Sequence, residues 1–170
     1  MKLIPLSGSR SDATWGRCAT PVGETLVAFA PEGVLWLSFG VGQRAEDELA
    51  EFWRGGRLIR DDAAAQKMAD RIFAADDTNM ALLVEGTPFQ IKVWQTLMTV
   101  PRGGRISYSE LACRAGMPRA VRAVATAIGR NNISYLIPCH RIVRSNGTTG
   151  QYRWGSQVKK ALLEWERGAK

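Results

Sequence analysis

The chain has 170 residues, 45% hydrophobic and 23% charged, the balance of a globular protein with one or two small cores. No apolar run reaches the roughly 18–20 residues of a membrane span, and the opening MKLIPLSGSRSD lacks a long apolar core, which argues against a signal peptide. The net charge of +7 is segregated: positions 1–85 hold nine Lys/Arg and thirteen Asp/Glu, a net −4, while positions 86–170 hold fourteen and three, a net +11.

A half-chain this rich in arginine is an electrostatic footprint for phosphate, whereas a solubilising surface charge would be spread more evenly. The charge break at Glu85-Gly86 sets the expected boundary between domains 1–85 and 86–170. Three widely spaced cysteines, Cys18, Cys113 and Cys139, are an odd number. They argue against a disulfide framework and for a reducing, cytoplasmic compartment. No CxxC or HxxxH spacing occurs, so no metal and no other cofactor is expected.

In the first half, WGRCAT, TLVAFA and VLWLSFG are short apolar-rich runs separated by PVGE and PEG, which predicts an antiparallel meander. RAEDELAEFW and DDAAAQKMADRIFAA then read as helices, the second capped by Asp61 or Asp62. Cys18 falls in a strand pattern and reads as a small buried apolar residue.

The second half reads as helices. TPFQIKVWQTLMTV has Thr87 as N-cap and Pro88 at the first helical position, with apolar residues at Phe89, Val93, Trp94 and Leu97. SYSELACRAG places Glu110 three residues after Ser107, a capping box. Gly116 and Pro118 break the chain, and RAVRAVATAIGRNN resumes, giving a helix-turn-helix pattern. The second helix of the pair combines small residues, among them Ala120, Ala123, Ala125 and Ala127, with arginines at 119, 122 and 130. Small side chains permit close backbone approach, and on a basic domain this favours nucleic-acid contact.

IPCHRIV sets Cys139 beside the only histidine, His140. Three readings of Cys139 compete: a buried structural residue, a metal ligand, and a nucleophile. Successive residues on a strand point to opposite faces, so for the last reading the two must lie in a turn or communicate through a water. A histidine base also needs an orienting carboxylate. The basic half offers Glu110, Glu164 and Glu166; Glu110 serves the capping box, so the last helix, SQVKKALLEWERG, is the natural source.

Five segments, GTPFQIKVWQTL, VPRGGRISYSELA, RAVRAVATAIGRNN, IPCHRIV and GQYRWGSQVKKALLEWE, resemble in order and spacing the C-terminal domain of the O6-alkylguanine-DNA alkyltransferases, bacterial type. These are direct-reversal DNA repair proteins. The resemblance implies an α+β fold: an N-terminal antiparallel sheet with helices, ribonuclease H-like, and a C-terminal helical domain with a helix-turn-helix, winged-helix-like. It implies a suicide enzyme whose Cys139 irreversibly accepts a methyl or other alkyl group from O6-alkylguanine, with O4-alkylthymine left open.

The same resemblance assigns roles. His140 acts as base through a bridging water, and Glu166, fourteen residues after Tyr152, orients it. Asn131 braces the cysteine turn, and Tyr108 donates to the guanine ring as charge develops. Arg122 fills the space of the flipped nucleotide, with Arg119, Ala123 and Ala127 on the DNA-facing helix. Tyr152 walls the pocket, the Arg153 amide faces the guanine oxygen, and Lys159 supports the active-site loop. The carbonyls of Cys139 and Ile142 read the guanine amino group. The implied partner is double-stranded DNA carrying the lesion, bound by a monomer, with cooperativity on DNA left open and no membrane.

Arg105 and Asn132 depart from the family pattern near the DNA-facing and hinge segments. Trp154 adds bulk beside the pocket and is expected to narrow tolerance for large alkyl groups such as benzyl. The alternative is a non-catalytic binder of alkylated DNA that recruits other repair factors; relatives of that kind lack the cysteine.

Overall fold

A computed structural model describes residues 1–74, 79–145, 147–148, 150 and 152–168, in two compact units, Met1–Glu85 and Gly86–Lys170. The first unit is built on β2 (Ala13–Thr20), β3 (Gly23–Ala30) and β4 (Gly33–Ser38), an antiparallel meander that matches the three apolar runs of the sequence. Leu26, Ala28 and Leu35 from these strands share one core with Leu49 and Trp53.

The sheet as a whole is mixed, which corrects the antiparallel expectation. Three short strands, β1 (Lys2–Pro5), β5 (Leu58–Arg60) and β6 (Ala81–Val84), add to the meander in the order β1-β6-β4-β3-β2-β5, each in parallel pairing. Two helices, α1 (Gln43–Phe52) and α2 (Asp62–Phe73), carry the chain back between them, so β5 and β6 re-enter in the direction of β2 and β4. Strands of three or four residues are too short to display a two-residue period, so the sequence pattern did not mark them.

Asp61 caps α2, its side chain accepting from the Ala64 amide at 2.9 Å. The last position of the expected helix, 75, lies outside the described residues. Cys18 is 3% exposed, and burial, reinforced by the charge of Asp62, pushes its thiol up to about 11. It is an inert packing residue.

The second unit holds α3 (Pro88–Met98), α4 (Tyr108–Arg114), α5 (Val121–Gly129) and α6 (Ser156–Gly168). Thr87 with Gln90 and Ser107 with Glu110 form reciprocal capping boxes on α3 and α4. A Schellman turn ends α4: the Met117 amide bonds the Ala112 carbonyl at 2.8 Å, and the Gly116 amide bonds that of Cys113 at 2.9 Å. Gly116 supplies the required left-handed residue at φ 73°. This turn sets α5 against α4, and the Trp94 indole ties α3 to α5 by donating to the Ala127 carbonyl at 2.9 Å. Two residues of β7 (Ile106–Ser107) pair in parallel with β8 (Ile142–Val143), a contact too short for the sequence pattern to show. Among the described residues no helix is long and apolar enough to cross a membrane.

Gly16 on β2 is where α2 presses closest. A Cβ there would lie 2.7 Å from the Asp62 Cα and 2.8 Å from the Ala65 Cβ, both fixed atoms of the helix. Gly16→Ala is therefore expected to destabilise the chain by about 1–3 kcal/mol through overpacking. Urea unfolding of both proteins measures this, and equal midpoints would show that the strand and helix have room to part at no cost.

Candidate active site

The segment from Ile133 to Pro138 is buried and ends in a 3-10 turn, Cys139–Arg141. Side chains in such a turn fan out about 120° apart. Cys139 faces a cavity of about 650 Å³, while His140 and Arg141 both reach Glu166 on α6. The Cys–His adjacency thus resolves as a turn, and the two side chains diverge.

Cys139 is 9% exposed, on a cavity wall that also includes Tyr108, Asn131, Tyr152 and Trp154. Asn131 is 3% exposed. Its amide donates to the Ile137 carbonyl at 2.9 Å and lies 3.4 Å from the sulfur, while its oxygen accepts from the Ile133 amide at 2.8 Å. One side chain therefore cross-links both ends of the segment leading into the turn. The Tyr152 hydroxyl is 3.9 Å from the sulfur. Burial raises the thiol above its ordinary value, against the pull of Asn131, Tyr152 and Lys159, so the resting sulfur is protonated. Burial also raises Tyr108, and raises Tyr152 well above its usual range; the neighbouring sulfur adds to both shifts. Both phenols keep their protons.

Behind the sulfur, His140 Nε2 is 2.8 Å from Glu166 Oε1, with both side chains fully buried. Burial would raise the Glu166 carboxyl, but hydrogen bonds and charge from His140 and Arg141 outweigh it and hold the group at about 2. His140 is pushed below its ordinary value by burial; the Glu166 contact opposes this, and the charges of Arg141 and Lys159 reinforce it. The pair therefore rests as carboxylate and neutral imidazole. Because the carboxylate can only accept, the ring proton sits on Nε2, leaving the Nδ1 lone pair as the basic site. Nδ1 is buried and has no hydrogen-bond partner among the described residues. Tyr135, held at φ 68°, stacks on the imidazole at 5.9 Å. A bulky residue in the left-handed region is a strained choice, and here it fixes the ring plane.

Lys159 is 1% exposed and donates to the Ile142 carbonyl at 2.5 Å, fastening the end of the turn to α6. Burial lowers its ammonium to about 8, with Cys139 opposing and Arg105 adding to the shift. Of the two carbonyls expected to read a base, Ile142 accepts from Lys159 and Cys139 from the Ile142 amide, and a carbonyl oxygen has two lone pairs. Arg119, Arg122 and Ala123 lie exposed at the start of α5, and Arg153 is exposed over the Trp154 ring at 4.8 Å. Ala127 corrects the sequence reading: it is 1% exposed, on the face of α5 shared by Val124 and Ile128, and so packs inward rather than toward a ligand. The Trp154 indole donates to Ser134 Oγ at 2.7 Å, which pins the ring beside the cavity. Position 151, within the GQYRWG segment, lies outside the described residues.

The sequence reading passed over Arg141, Tyr135 and Ser134. Arg141 carried no signal beyond its place in the same short turn as His140, since the side chains of such a turn fan outward. Tyr135 and Ser134 sit in an apolar run that reads as core.

The family model for the DNA-binding domain of 6-O-methylguanine DNA methyltransferase matches residues 88–168. The chain is 35% identical over 147 residues to a methylated-DNA–protein-cysteine methyltransferase of Methanosarcina barkeri, covering 86% of this chain and 92% of that one. It is 38% identical over 162 residues to the regulatory protein ada of Salmonella typhimurium, covering 92% of this chain and 44% of the other. Among solved structures, Mycobacterium tuberculosis OGT in complex with DNA superposes with a TM-score of 0.73 at 29% identity, over 92% of this chain and 94% of that chain. The chain spans 44%, 25% and 43% of the length of three curated relatives that it matches.

His140 and Glu166 both bind fewer protons in the folded than in the unfolded state at acid pH, so stability rises with pH through their range. The His140 contribution is complete above its ordinary value of 6.5 and is lost as pH falls below it; that of Glu166 is lost from 4.5 toward about 2. Denaturant midpoints are expected to fall between pH 7.5 and 5, and His140→Gln to flatten that stretch. A wild-type midpoint constant over that range would show that His140 is not held neutral.

Proposed function

The chain belongs to the methylated-DNA–protein-cysteine methyltransferase family, and on that premise we propose that it repairs DNA by direct reversal, moving a methyl or other alkyl group from guanine O6 to Cys139, once per molecule. The observation that carries this reading is the placing of one sulfur on the wall of a cavity with a neutral, carboxylate-oriented imidazole in the same turn.

In that transfer, Nδ1 of His140 takes the thiol proton through a water. The thiolate attacks the alkyl carbon in line, a sulfur–carbon bond forms, and the carbon–oxygen bond to O6 breaks with its electron pair moving into the purine. Tyr108, whose phenol stays protonated, donates to the departing base and is reprotonated from solvent. The thioether has no labile bond for water to cleave, so the protein is consumed.

The target base is buried in a duplex and must be swung out to reach the sulfur. A cavity of about 650 Å³ has room for a nucleoside. Arg122 stands one helical turn before Ala125, which lines the cavity, and this supports the reading that its guanidinium fills the gap left in the stack. Arg119, two residues before α5, and Ala123, on its exposed side, accompany it, and phosphate contacts of this basic unit supply affinity without sequence preference. In this reading the first unit is ribonuclease H-like and the second winged-helix-like, supported by the meander with its parallel additions and by the α4–α5 pair beside β7 and β8.

Incubation with a duplex carrying O6-methylguanine, followed by intact mass measurement, tests the reaction. The expected result is a gain of one methylene per chain, absent in Cys139→Ser. Binding of the duplex with no mass change would instead make the protein a non-catalytic recogniser. The size of the group accepted follows from Trp154. O6-benzylguanine is expected to consume the protein more slowly than the methylated duplex, and Trp154→Ala to raise the benzyl rate relative to methyl transfer by about tenfold or more. Equal wild-type rates on the two substrates would remove Trp154 as the limit.

A further inference from the structure

Arg141 takes no part in the roles assigned above. We infer that it is a positioning residue that keeps the His140–Glu166 pair in its one base-competent form, carboxylate ionised and imidazole neutral with the proton on Nε2. The consequence for rate rests on the alkyl-transfer reading; the consequence for the imidazole does not.

The geometry is specific. Arg141 Nε lies 3.1 Å from each oxygen of Glu166, and its Nη2 lies 2.6 Å from Oε1. Its Nη1 donates to the Val100 carbonyl, which locks the plane of the fork. The Gly103 amide adds a donor to Oε2 at 3.1 Å, and His140 Nε2 completes Oε1. The Arg141 fork and the Gly103 amide are donors whatever the imidazole tautomer, and between them they face both carboxylate oxygens. A protonated carboxyl would have to displace one of them, and a guanidinium cannot give up its proton to make room. Glu166 is therefore held as the anion, and an anion accepting from Nε2 fixes the imidazole proton there.

Charge acts in the same direction as geometry. The groups around His140 are Glu166 and Lys159 from α6, Cys139 and Arg141 within the turn, and the stacked Tyr135 ring; Tyr108 and Tyr152 lie beyond the sulfur on the cavity wall. A buried carboxylate with only an imidazole beside it would favour the imidazolium, since opposite charges stabilise each other in a dry site. The base would then be filled before the thiol could use it. With Arg141 already balancing Glu166, a second cation at His140 is disfavoured, and the Nδ1 lone pair stays available.

The single histidine of the chain makes the test unambiguous, because every imidazole signal belongs to His140. Nitrogen-15 NMR of the wild-type protein is expected to show a neutral ring at pH 7 with its proton on Nε2. Arg141→Gln is expected to move the His140 titration upward by about one pH unit or more, and Arg141→Lys, which keeps the charge, to leave it near the wild-type position. The acid limb of methyl transfer from an O6-methylguanine duplex should follow the titration, with about a tenfold loss in rate on that limb for each pH unit the titration moves. A merely structural role would lower the rate equally at every pH. The inference is overturned by a wild-type ring that is charged or carries its proton on Nδ1 at pH 7, which requires no variant to fold. It is equally overturned by a titration unmoved in Arg141→Gln, or moved as far in Arg141→Lys. If the wild type takes no methyl group while the imidazole behaves as stated, the transfer reading fails and this one stands.

Discussion

The carboxylate of Glu166, fully buried and shared between an imidazole and a guanidinium, is the constraint on which the second unit depends. It draws both side chains of the turn after Cys139 to one point on α6 and thereby sends the sulfur the other way, into the cavity. As a fastening it is a poor choice, because desolvation of three ionisable groups offsets most of their attraction, and apolar residues of similar volume would hold a turn to a helix as well or better. What an apolar contact lacks is control over protons. The ion pair favours one ring nitrogen of His140 as the site of its hydrogen, and so leaves the lone pair on the other.

The sulfur is subject to two opposed effects. Burial favours the thiol, while Asn131, Tyr152 and Lys159 favour the thiolate, and burial prevails at rest. For the single transfer proposed above, that balance is chemically sensible. A permanently ionised thiol would be spent on any passing electrophile or oxidant, whereas a thiol next to an empty base reacts when a substrate occupies the cavity and the proton has somewhere to go. Lys159 serves both sides of this arrangement. Its ammonium lies close enough to pull the thiol down, and the same group holds the Ile142 carbonyl, so the charge cannot drift from the turn it acts on.

Much of this was legible in the sequence because it depends on local chemistry. The N-cap at Thr87, the capping box at Ser107, the turn at Gly116 and the meander runs are set by residues within a few positions of one another, and each of these appears within one or two residues of its expected place. The residues alone pointed to the last helix as the source of a carboxylate, the family resemblance chose Glu166 over Glu164, and Glu166 meets His140 at 2.8 Å. The short strands β1, β5 and β6 could not be read, since their direction is decided by where two helices return the chain. Arg141 was passed over and Ala127 misjudged. Ala127 was judged by its residue type, a small helix residue, whereas its packing is set by the face it occupies.

Helix α5 shows how narrow that margin is. Val124, Ala127 and Ile128 point into the core, Ala125 lines the cavity, and Arg122, Ala123 and Thr126 face solvent, all within two turns. Ala125 and Arg122 are three residues apart and so lie one above the other on the helix surface. The cavity that exposes the sulfur is consequently bordered by the same stripe that carries an exposed arginine. Under the proposed function, a polyanion drawn to that stripe by charge would arrive at the mouth of the cavity, so the electrostatics of binding and the presentation of Cys139 would share a single helix face. In the proposed function, small side chains at Ala123 and Ala125 would let the backbone of the ligand approach the mouth, and larger ones would lengthen the path to the sulfur.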